Sequence, residues 1–289
     1  MNIEKLSLFN IDKFRMMYEA FEDSYLCDKG FFDIYDRETF LAKYIIRKQV
    51  KLFKLGDEYV GYLWHEYPEN SKCCTIYGIS FINDFLEHIT SHVLDSLRFN
   101  ALKLDIVQNK KNKLIMNKLG FNVQFKSILM KLDLQDYYFN KFEFEDKLIF
   151  KHFTANKDEA LRCEVQNKIF YEKNRIPLTV DDIYEEENEE YFIGDFSVFL
   201  KNSNNDVLGY GQIVFSKNQY TIVNFGILEQ YRMRGYGEIL LRYLICLCKL
   251  NSIPEIFIRV EDTNIKAINL YSKVGFAECN SCVTWLKFF

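Results

Sequence analysis

A pattern that occurs once in each half of the 289-residue chain restricts its fold more than any other feature of the sequence. Residues 102–121 read LKLDIVQNKKNKLIMNKLGF, and residues 256–276 read IFIRVEDTNIKAINLYSKVGF. Both segments begin with a β-like run, pass through a polar turn that contains asparagine, continue as a helix and end in Gly-Phe. Counted back from the glycine, Asn109 matches Asn264. This shared order favours a duplication over a chance match and predicts two copies of one fold.

The openings of the two halves support the duplication. A short β-like run and an amphipathic helix start each half, at residues 3–21 and 147–171, and a turn-linked pair of strands follows, at 51–67 and 196–215. The order in each half is then strand, helices, β-meander, helix, strand, helix, strand. It predicts an α/β fold of the layered α+β type, with two tandem domains that each contain a mixed, largely antiparallel sheet flanked by helices.

The predicted domain boundaries follow from the point at which the pattern restarts. Residues 1–135 are expected to form the first domain, residues 136–145 a linker, and residues 146–289 the second domain. A chain of this length also suits two domains of ordinary size.

Composition and charge exclude several classes of protein. Apolar residues make up 48% and charged residues 27% of the chain, as is typical of a soluble globular protein. The net charge is −4 and the calculated pI is about 5.7, so we expect no affinity for nucleic acid. The sequence contains no run of about 18 apolar residues and no signal-peptide pattern, so we expect no membrane association and a cytoplasmic location.

The cysteines and histidines form no metal-binding pattern. Of the eight cysteines, only Cys279 and Cys282 have a metal-like spacing, and neither a second CxxC nor an HxxxH motif accompanies them. The four histidines are scattered along the chain. We therefore expect no metal.

Residues 230–240 read QYRMRGYGEIL and place two arginines at a Gly-x-Gly turn. A β-like run precedes the turn, and an apolar periodicity typical of a helix follows it. A helix N-terminus presents unpaired N–H groups and the positive end of its dipole. Gly235 and Gly237 leave space for an anion beside the backbone, and Arg232 and Arg234 add positive charge. This combination indicates a diphosphate-binding turn.

Three phosphate-binding patterns compete for this turn. A P-loop requires GxxxxGK[ST], but no Lys-Ser or Lys-Thr follows Gly237. A Rossmann fingerprint requires GxGxxG, but its third position here is Leu240. The pattern R-x-x-G-x-G on a strand-to-helix turn fits, although a glycine-containing helix start with solvated arginines explains the same residues.

The sequence resembles the GCN5-related N-acetyltransferases (GNAT), whose acetyl-CoA pyrophosphate loop has the pattern (Q/R)-x-x-G-x-(G/A) between a strand and a helix. In this chain the loop is Arg232-Met-Arg-Gly235-Tyr-Gly237. A second family pattern, Asn-x-x-Ala-x-x-x-Tyr-x-x-x-Gly-Phe, runs here from Asn264 to Phe276. Both patterns stand in the family's order and at its separation, and the resemblance covers the second half of the chain well.

The resemblance implies that the turn binds acetyl-CoA as the co-substrate. The residues expected at its pyrophosphate are Arg232, Met233, Arg234, Gly235, Tyr236 and Gly237.

The strand before the turn and the second pattern are expected to hold the rest of acetyl-CoA. The resemblance implies that the strand edge at Gly226, Ile227 and Leu228 pairs with the pantetheine arm and that an N–H there polarises the thioester carbonyl. It also implies that Asn264 contacts the cofactor arm. Tyr271 is expected near the sulfur as the general acid that protonates the leaving thiolate.

The first half departs from the family pattern. Residues 77–90, YGISFINDFLEHIT, contain neither an arginine nor Gly-x-Gly. Met116 stands at the position of Tyr271 and cannot donate a proton, and Asn112 stands at the position of the motif alanine. We interpret the first half as a degenerate copy that keeps the fold and has lost the cofactor site.

The predicted function is direct transfer of an acetyl group from acetyl-CoA to a primary amine of a small molecule or peptide. The sequence does not identify the general base, because the strand before the turn contains no acid and Glu229 follows it. A base that acts through a water molecule is still possible.

The acidic run 181–190, DDIYEEENEE, would attract a cationic acceptor, although a solvated helix face explains it as well.

Two other classes of function stay open at this point. One is a non-catalytic sensor or interaction module that binds acyl-CoA, and the other is an interaction protein in which both domains are degenerate. A longer acyl group also fits the patterns. We expect a monomer, because a tandem pair imitates the dimer of single-domain relatives.

Overall fold

The computed structural model describes residues 1–20, 30–66, 73–97, 99–135, 137, 147–171, 176–216 and 218–289. These residues form two compact units. One unit consists of Met1–Ser127 and Asn280–Phe289, and the other consists of Ile128–Cys279.

The first half of the chain contains six strands and four helices among its described residues. In chain order they are β1 (Asn2–Lys5), α1 (Ile11–Glu19), α2 (Phe31–Tyr35), α3 (Phe40–Arg47), β2 (Val50–Leu55), β3 (Glu58–His65), β4 (Cys74–Phe81), β5 (Ala101–Val107), α4 (Lys110–Lys118) and β6 (Asn122–Asp133). Two short 3₁₀ segments, Asn83–His88 and Ser91–Leu94, lie between β4 and β5.

The second half repeats the order of the strands, but its described part has two helices before the hairpin strands and a long helix where the first half has 3₁₀ segments. Its elements are β7 (Leu148–His152), α5 (Glu159–Ile169), α6 (Val180–Glu187), β8 (Ser197–Asn202), β9 (Val207–Ser216), β10 (Gln219–Ile227), α7 (Tyr236–Leu250), β11 (Glu255–Glu261), α8 (Ile265–Val274) and β12 (Ala277–Phe288).

The strands of each unit are mostly antiparallel. The order in the first unit is β1-β2-β3-β4-β5-β12, in which only β4 and β5 are parallel among the paired strands. The order in the second unit is β6-β11-β10-β9-β8-β7, in which β10 and β11 are parallel. The predicted fold class, a mixed and largely antiparallel sheet with flanking helices in each half, is confirmed.

The division into units differs from the boundaries read from the sequence. The second unit begins at Ile128 rather than at 146, and the C-terminal residues from Asn280 onward belong to the first unit. Hydrogen bonds explain both assignments. Leu134 N donates to Pro254 O at 2.8 Å in the second unit, and Lys287 Nζ donates to Leu119 O at 2.8 Å in the first. Of the predicted linker 136–145, only residue 137 lies among the described residues.

The matched asparagines of the repeat have the same structural role. Asn109 precedes α4 and its side chain accepts from Asn112 N at 2.8 Å, while Asn264 precedes α8 and accepts from Ala267 N at 3.2 Å. An asparagine N-cap satisfies an amide that the helix leaves unpaired. The glycine at each helix end, at 120 and 275, has a positive φ of 77° and 114°. The repeated letters therefore mark repeated helix boundaries.

Helices cover both faces of the sheet in the second unit. The α7 residues Leu240 and Leu244 are fully buried and belong to one core cluster together with Val198 of β8. The neighbouring β8 residue Phe199 belongs to another cluster, which contains Ile169 of α5. Alternate residues of one strand thus face opposite layers, as expected for a sheet buried on both sides.

Candidate active site

The two parallel strands of the second unit separate to form a cleft. Their register pairs Thr221 with Phe257 and Ile222 with Ile258. Beyond these pairs, β10 has an irregularity between Val223 and Gly226 in its register with β9. A cleft of about 440 Å³ opens here, and its lining residues include Phe170, Asn224, Phe225, Glu261, Asn264 and Tyr271.

The turn after β10 presents a row of backbone amides. Within the described part of the chain, the amides of residues 233–237 donate to no protein acceptor. Met233 has a φ of 62° and Gly235 a φ of 85°, so the backbone passes twice through the left-handed region before α7 begins at Tyr236. Successive amides in such turns form an anion-binding concavity, and the helix dipole adds positive potential. The turn therefore has the geometry of a phosphate cradle.

The three glycines predicted around the cradle are required to different degrees. Gly235 has a left-handed φ that side chains rarely tolerate, and a Cβ built there meets nothing within 4 Å. A Cβ on Gly237 would lie 3.4 Å from Leu270 Cδ2, an ordinary contact, so protein packing does not require this glycine. A Cβ on Gly226 would lie 2.2 Å from Ile169 Cγ2. Gly226 is thus needed for the packing of α5 against β10.

The two arginines of the turn have different environments. The Arg232 Nε donates to Ile227 O at 2.9 Å and its Nη2 to Ile169 O at 3.1 Å, so this side chain ties the turn to β10 and to the end of α5. Arg234 is exposed and has no hydrogen-bond or ion-pair partner among the described residues. The positive charge that is available to a ligand therefore comes chiefly from Arg234.

The end of β10, directly after the cleft-lining residue Phe225, has one backbone N–H that β9 does not use. Leu228 N donates to Leu208 O at 2.9 Å, and Ile227 stands opposite Gly209. Because successive amides of an antiparallel strand point to opposite sides, the Ile227 N–H points away from β9. The side chains of Ile227 and Leu228 are buried, so this segment can contact a ligand only through its backbone.

Asn264 lies at the cleft with one half of its amide already used. Its Oδ1 accepts the Ala267 amide as the N-cap of α8, which leaves the Nδ2 group as the donor. A ligand carbonyl is therefore the group that this side chain can bind.

Tyr271 lies in the wall of the cleft on α8. Its side chain is buried, and its ring has an edge contact with Phe225 at 6.1 Å and a tilted contact with Phe276 at 6.2 Å between centroids. Burial raises the pKa of Tyr271 to about 12. The hydroxyl is therefore protonated at neutral pH, as a proton donor must be.

A buried polar network adjoins the cleft, and sequence reasoning missed it. The Arg162 side chain, which is fully buried, forms an ion pair with Glu186 and donates through Nη2 to Gln212 Oε1 at 3.0 Å. Gln212 Nε2 donates to Glu186 Oε1 at 3.1 Å, and Asn224 Nδ2 donates to Gln212 Oε1 at 3.1 Å. The available signal was an arginine among the core-facing positions of α5 and a glutamine inside an otherwise apolar strand.

The acidic run has several structural roles. Asp182 accepts the Thr179 amide at 2.6 Å in a capping box, and the pKa of its carboxyl is lowered chiefly by that backbone hydrogen bond. Glu186 pairs with Arg162. Burial, followed by repulsion from Glu159, raises the pKa of Glu187. Part of this run therefore stabilises α6, and its exposed acidic residues are Asp181, Asp182, Glu185, Glu189 and Glu190.

The described residues contain no group of three or more His, Cys, Asp or Glu side chains that could hold a metal ion. Cys282 is fully buried, while the Cys279 Sγ lies 3.2 Å from Leu129 O. In the same residues, no helix has the length and apolar character needed to cross a bilayer.

Comparisons with known proteins agree with this geometry. Residues 159–276 match the model of the Acetyltransferase (GNAT) family, a range that includes the cradle, the cleft and both sequence patterns. An N-alpha-acetyltransferase of Sulfurisphaera tokodaii is 40% identical over 58 residues, which are 20% of this chain and 35% of that protein. The chain thus spans about a third of the length of this curated relative.

Two solved structures share the fold at low sequence identity. A GCN5-related N-acetyltransferase from Sphaerobacter thermophilus matches with a TM-score of 0.66 and 15% identity over 83% of this chain and 80% of that one. The tandem GNAT protein from the clavulanic acid biosynthesis pathway matches with a TM-score of 0.58 and 11% identity over 83% and 82%. The family-model match over residues 159–276 confirms the GNAT resemblance that the two sequence patterns indicated, and the two solved structures show the same fold.

Proposed function

We propose that the protein is an acetyl-CoA-dependent N-acetyltransferase that moves the acetyl group directly to a primary amine of a small molecule or peptide. The observation that supports this most is the cradle of unpartnered amides at 233–237 next to a cleft that contains Tyr271. An anion-binding turn and a buried proton donor beside one cleft suit a thioester whose other end is a diphosphate.

The residues present fit acetyl-CoA along its length. The amides of residues 233–237 and the Arg234 guanidinium would hold the pyrophosphate. The strand edge at Gly226, Ile227 and Leu228 would run beside the pantetheine arm, with the Ile227 N–H as the backbone donor that β9 leaves unused. Asn264 Nδ2 would donate to a carbonyl of that arm. In this proposal Arg232 shapes the turn through Ile227 O and Ile169 O rather than binding phosphate itself.

Acetyl-CoA would supply the acetyl group as an activated thioester. The Ile227 N–H would donate to the thioester oxygen and stabilise the negative charge that develops there. As the C–N bond forms and the C–S bond breaks, Tyr271 would give its proton to the sulfur and regain one from solvent. An ammonium acceptor would first lose one proton to become the neutral nucleophile, and its nitrogen would lose a second proton as the C–N bond forms, both to solvent or to a water-linked base.

The acceptor is proposed to be cationic before it reacts. The exposed acidic side chains around α6, including Asp181 and Glu185, would attract an ammonium group. Amine acetylation by an N-alpha-acetyltransferase that is similar to this chain over 58 residues supports a peptide amine as one candidate. A monomer in the cytoplasm is part of the same proposal.

Calorimetric titration of acetyl-CoA into the whole chain, followed by an amine screen, tests the proposal. We expect one site per chain, because the amide cradle lies in the second unit, and turnover with at least one primary amine. Two sites would show that the first half also binds the cofactor. Binding without turnover against every amine would favour a sensor, and no binding would refute the proposal.

A further inference from the structure

We infer that Asn224 Oδ1 accepts a hydrogen bond from the attacking amine and so makes the enzyme selective for primary amines. This inference rests on the proposed function. Asn224 lies in the irregular part of β10, and it lines the same cleft as Tyr271. Its Oδ1 has no hydrogen-bond partner in the described part of the chain, whereas its Nδ2 is bonded.

The orientation of the Asn224 amide is fixed by charged groups at the far end of the network. An arginine can only donate, so the Gln212 atom that faces Arg162 must be the oxygen. An ionised carboxylate can only accept, so the Gln212 atom that faces Glu186 must be the nitrogen. Gln212 therefore presents its amide oxygen to Asn224, so the Asn224 group that donates to it must be Nδ2. The remaining atom, Oδ1, is left as an acceptor.

The backbone of Asn224 has an energetically unfavourable conformation. Its φ of 51° lies in the left-handed region, which is uncommon for a residue other than glycine within a strand. Such conformations persist where surrounding contacts fix them, and they concentrate at functional sites. The hydrogen bond to buried Gln212 is the contact that fixes Asn224 here.

The chemistry of transfer explains why an acceptor at this place matters. A neutral primary amine has two N–H bonds. One would donate to Asn224 Oδ1, which turns the nitrogen lone pair toward the thioester carbon, and the other would be the proton that is lost as the C–N bond forms. The C–S bond breaks and the sulfur receives its proton from Tyr271. Asn224 accepts a hydrogen bond throughout and takes no proton. A secondary amine has one N–H and cannot serve both purposes.

The test compares Asn224→Gly with Asn218→Gly. Both asparagines have a positive φ, 51° and 57°, and both flank or belong to β10, but Asn218 is exposed in the turn at the opposite end of the strand. Glycine tolerates both conformations, so each variant removes a side chain without adding strain. For each protein we would measure the acetyl-CoA Kd and the kcat/KM for a primary amine and for its N-methyl derivative.

We expect Asn224→Gly to lower kcat/KM for the primary amine by about tenfold, the usual effect of one lost hydrogen bond. The acetyl-CoA Kd should change by less than about twofold, and the preference for the primary over the N-methylated amine should shrink. Asn218→Gly should behave as wild type. Unchanged kcat/KM or unchanged preference in Asn224→Gly would overturn the inference, as would an equal loss of acetyl-CoA affinity.

A second variant tests the orienting role of Gln212. Gln212→Met removes both amide groups, so its effect on the amine preference should not add to that of Asn224→Gly in the double variant. Additive losses would overturn the orientation argument. If wild type neither binds acetyl-CoA nor acetylates any amine, the proposed function itself fails, which is distinct from the failure of Asn224 alone.

Discussion

The two halves follow the same path up to the end of one strand and then diverge. In the second half, β10 leads into a turn with two left-handed residues and then into the fifteen-residue α7. In the first half, β4 ends at Phe81 and leads into the 3₁₀ segments Asn83–His88 and Ser91–Leu94. Buried Phe85, Ile89 and Leu94 pack this stretch into the first core. One copy thus builds an anion cradle where the other fills space with apolar side chains.

The helix after the asparagine cap shows the same contrast. Asn112 sits where the family pattern has alanine, and its side chain donates to Val107 O at 2.7 Å. Met116 is fully buried in the first core, at the place where the second half has the Tyr271 hydroxyl. We propose that the first half keeps the fold without a cofactor site. The comparison teaches that cap and core residues preserve a fold, while a few turn and cleft residues make a site.

The largest effect is expected from Gly235→Glu. The new carboxylate would lie in the amide cradle, and the φ of 85° would be strained, so acetyl-CoA affinity should fall by at least about a hundredfold in a calorimetric titration. Gly56→Glu in the first half is the matched control, because Gly56 also has a positive φ, 60°, and a Cβ built on it meets nothing within 4 Å. Equal affinity of Gly235→Glu and wild type would show that the cradle has been misplaced.

Removal of the proposed proton donor comes next. Tyr271→Phe should lower kcat by about a hundredfold, within the usual range for general acid catalysis, and should leave the acetyl-CoA Kd unchanged. Met116→Leu at the matching position of the first half should change neither value. Steady-state kinetics with the best amine of the screen test this prediction. Full activity of Tyr271→Phe would show that Tyr271 is not the general acid.

Variants of the two arginines of the turn should have different effects, one on protein stability and the other on acetyl-CoA affinity. Arg232→Leu removes donors to Ile227 O and Ile169 O, so the free energy of unfolding in urea should fall by about 1–3 kcal/mol. Arg234→Leu should leave stability unchanged but weaken acetyl-CoA binding several-fold, and less so at high salt. If both variants lost only affinity, the structural role given to Arg232 would be wrong.

The smallest effect concerns alkaline pH. The pKa of Tyr271 is raised to about 12 in the folded protein, whereas an unfolded tyrosine titrates near pH 10. Above about pH 10 the unfolded chain releases a proton that the folded protein keeps, so the free energy of unfolding contributed by Tyr271 falls as pH rises. Tyr271→Phe should therefore lose stability less steeply than wild type above this pH in urea titrations. Parallel curves would contradict the burial of this hydroxyl.

Much of the fold could be predicted from short stretches of sequence. The Asn-to-Gly-Phe repeat marked α4 and α8 because an N-cap and a left-handed C-terminal glycine are local requirements of a helix. The turn at Gly235 could also be predicted from local sequence, because its positive φ favours glycine. The helix predicted between the hairpin and the repeat in the first half was wrong in type, because Asn83–Leu94 forms 3₁₀ segments instead. Whether this stretch forms an α-helix or 3₁₀ segments depends on how its apolar side chains pack into the core.

The sequence by itself determined the periodicities, the caps, the left-handed glycine turn and the tyrosine of the second pattern, because each is a local property of a few neighbouring residues. Only the tertiary structure decided that residues 280–289 belong to the first unit, that Gly226 makes room for Ile169 and that Arg232 binds backbone carbonyls. It also decided the link from Arg162 through Gln212 to Asn224. These features join residues that are distant in the chain, and a one-dimensional pattern holds no information on which of many polar side chains will meet.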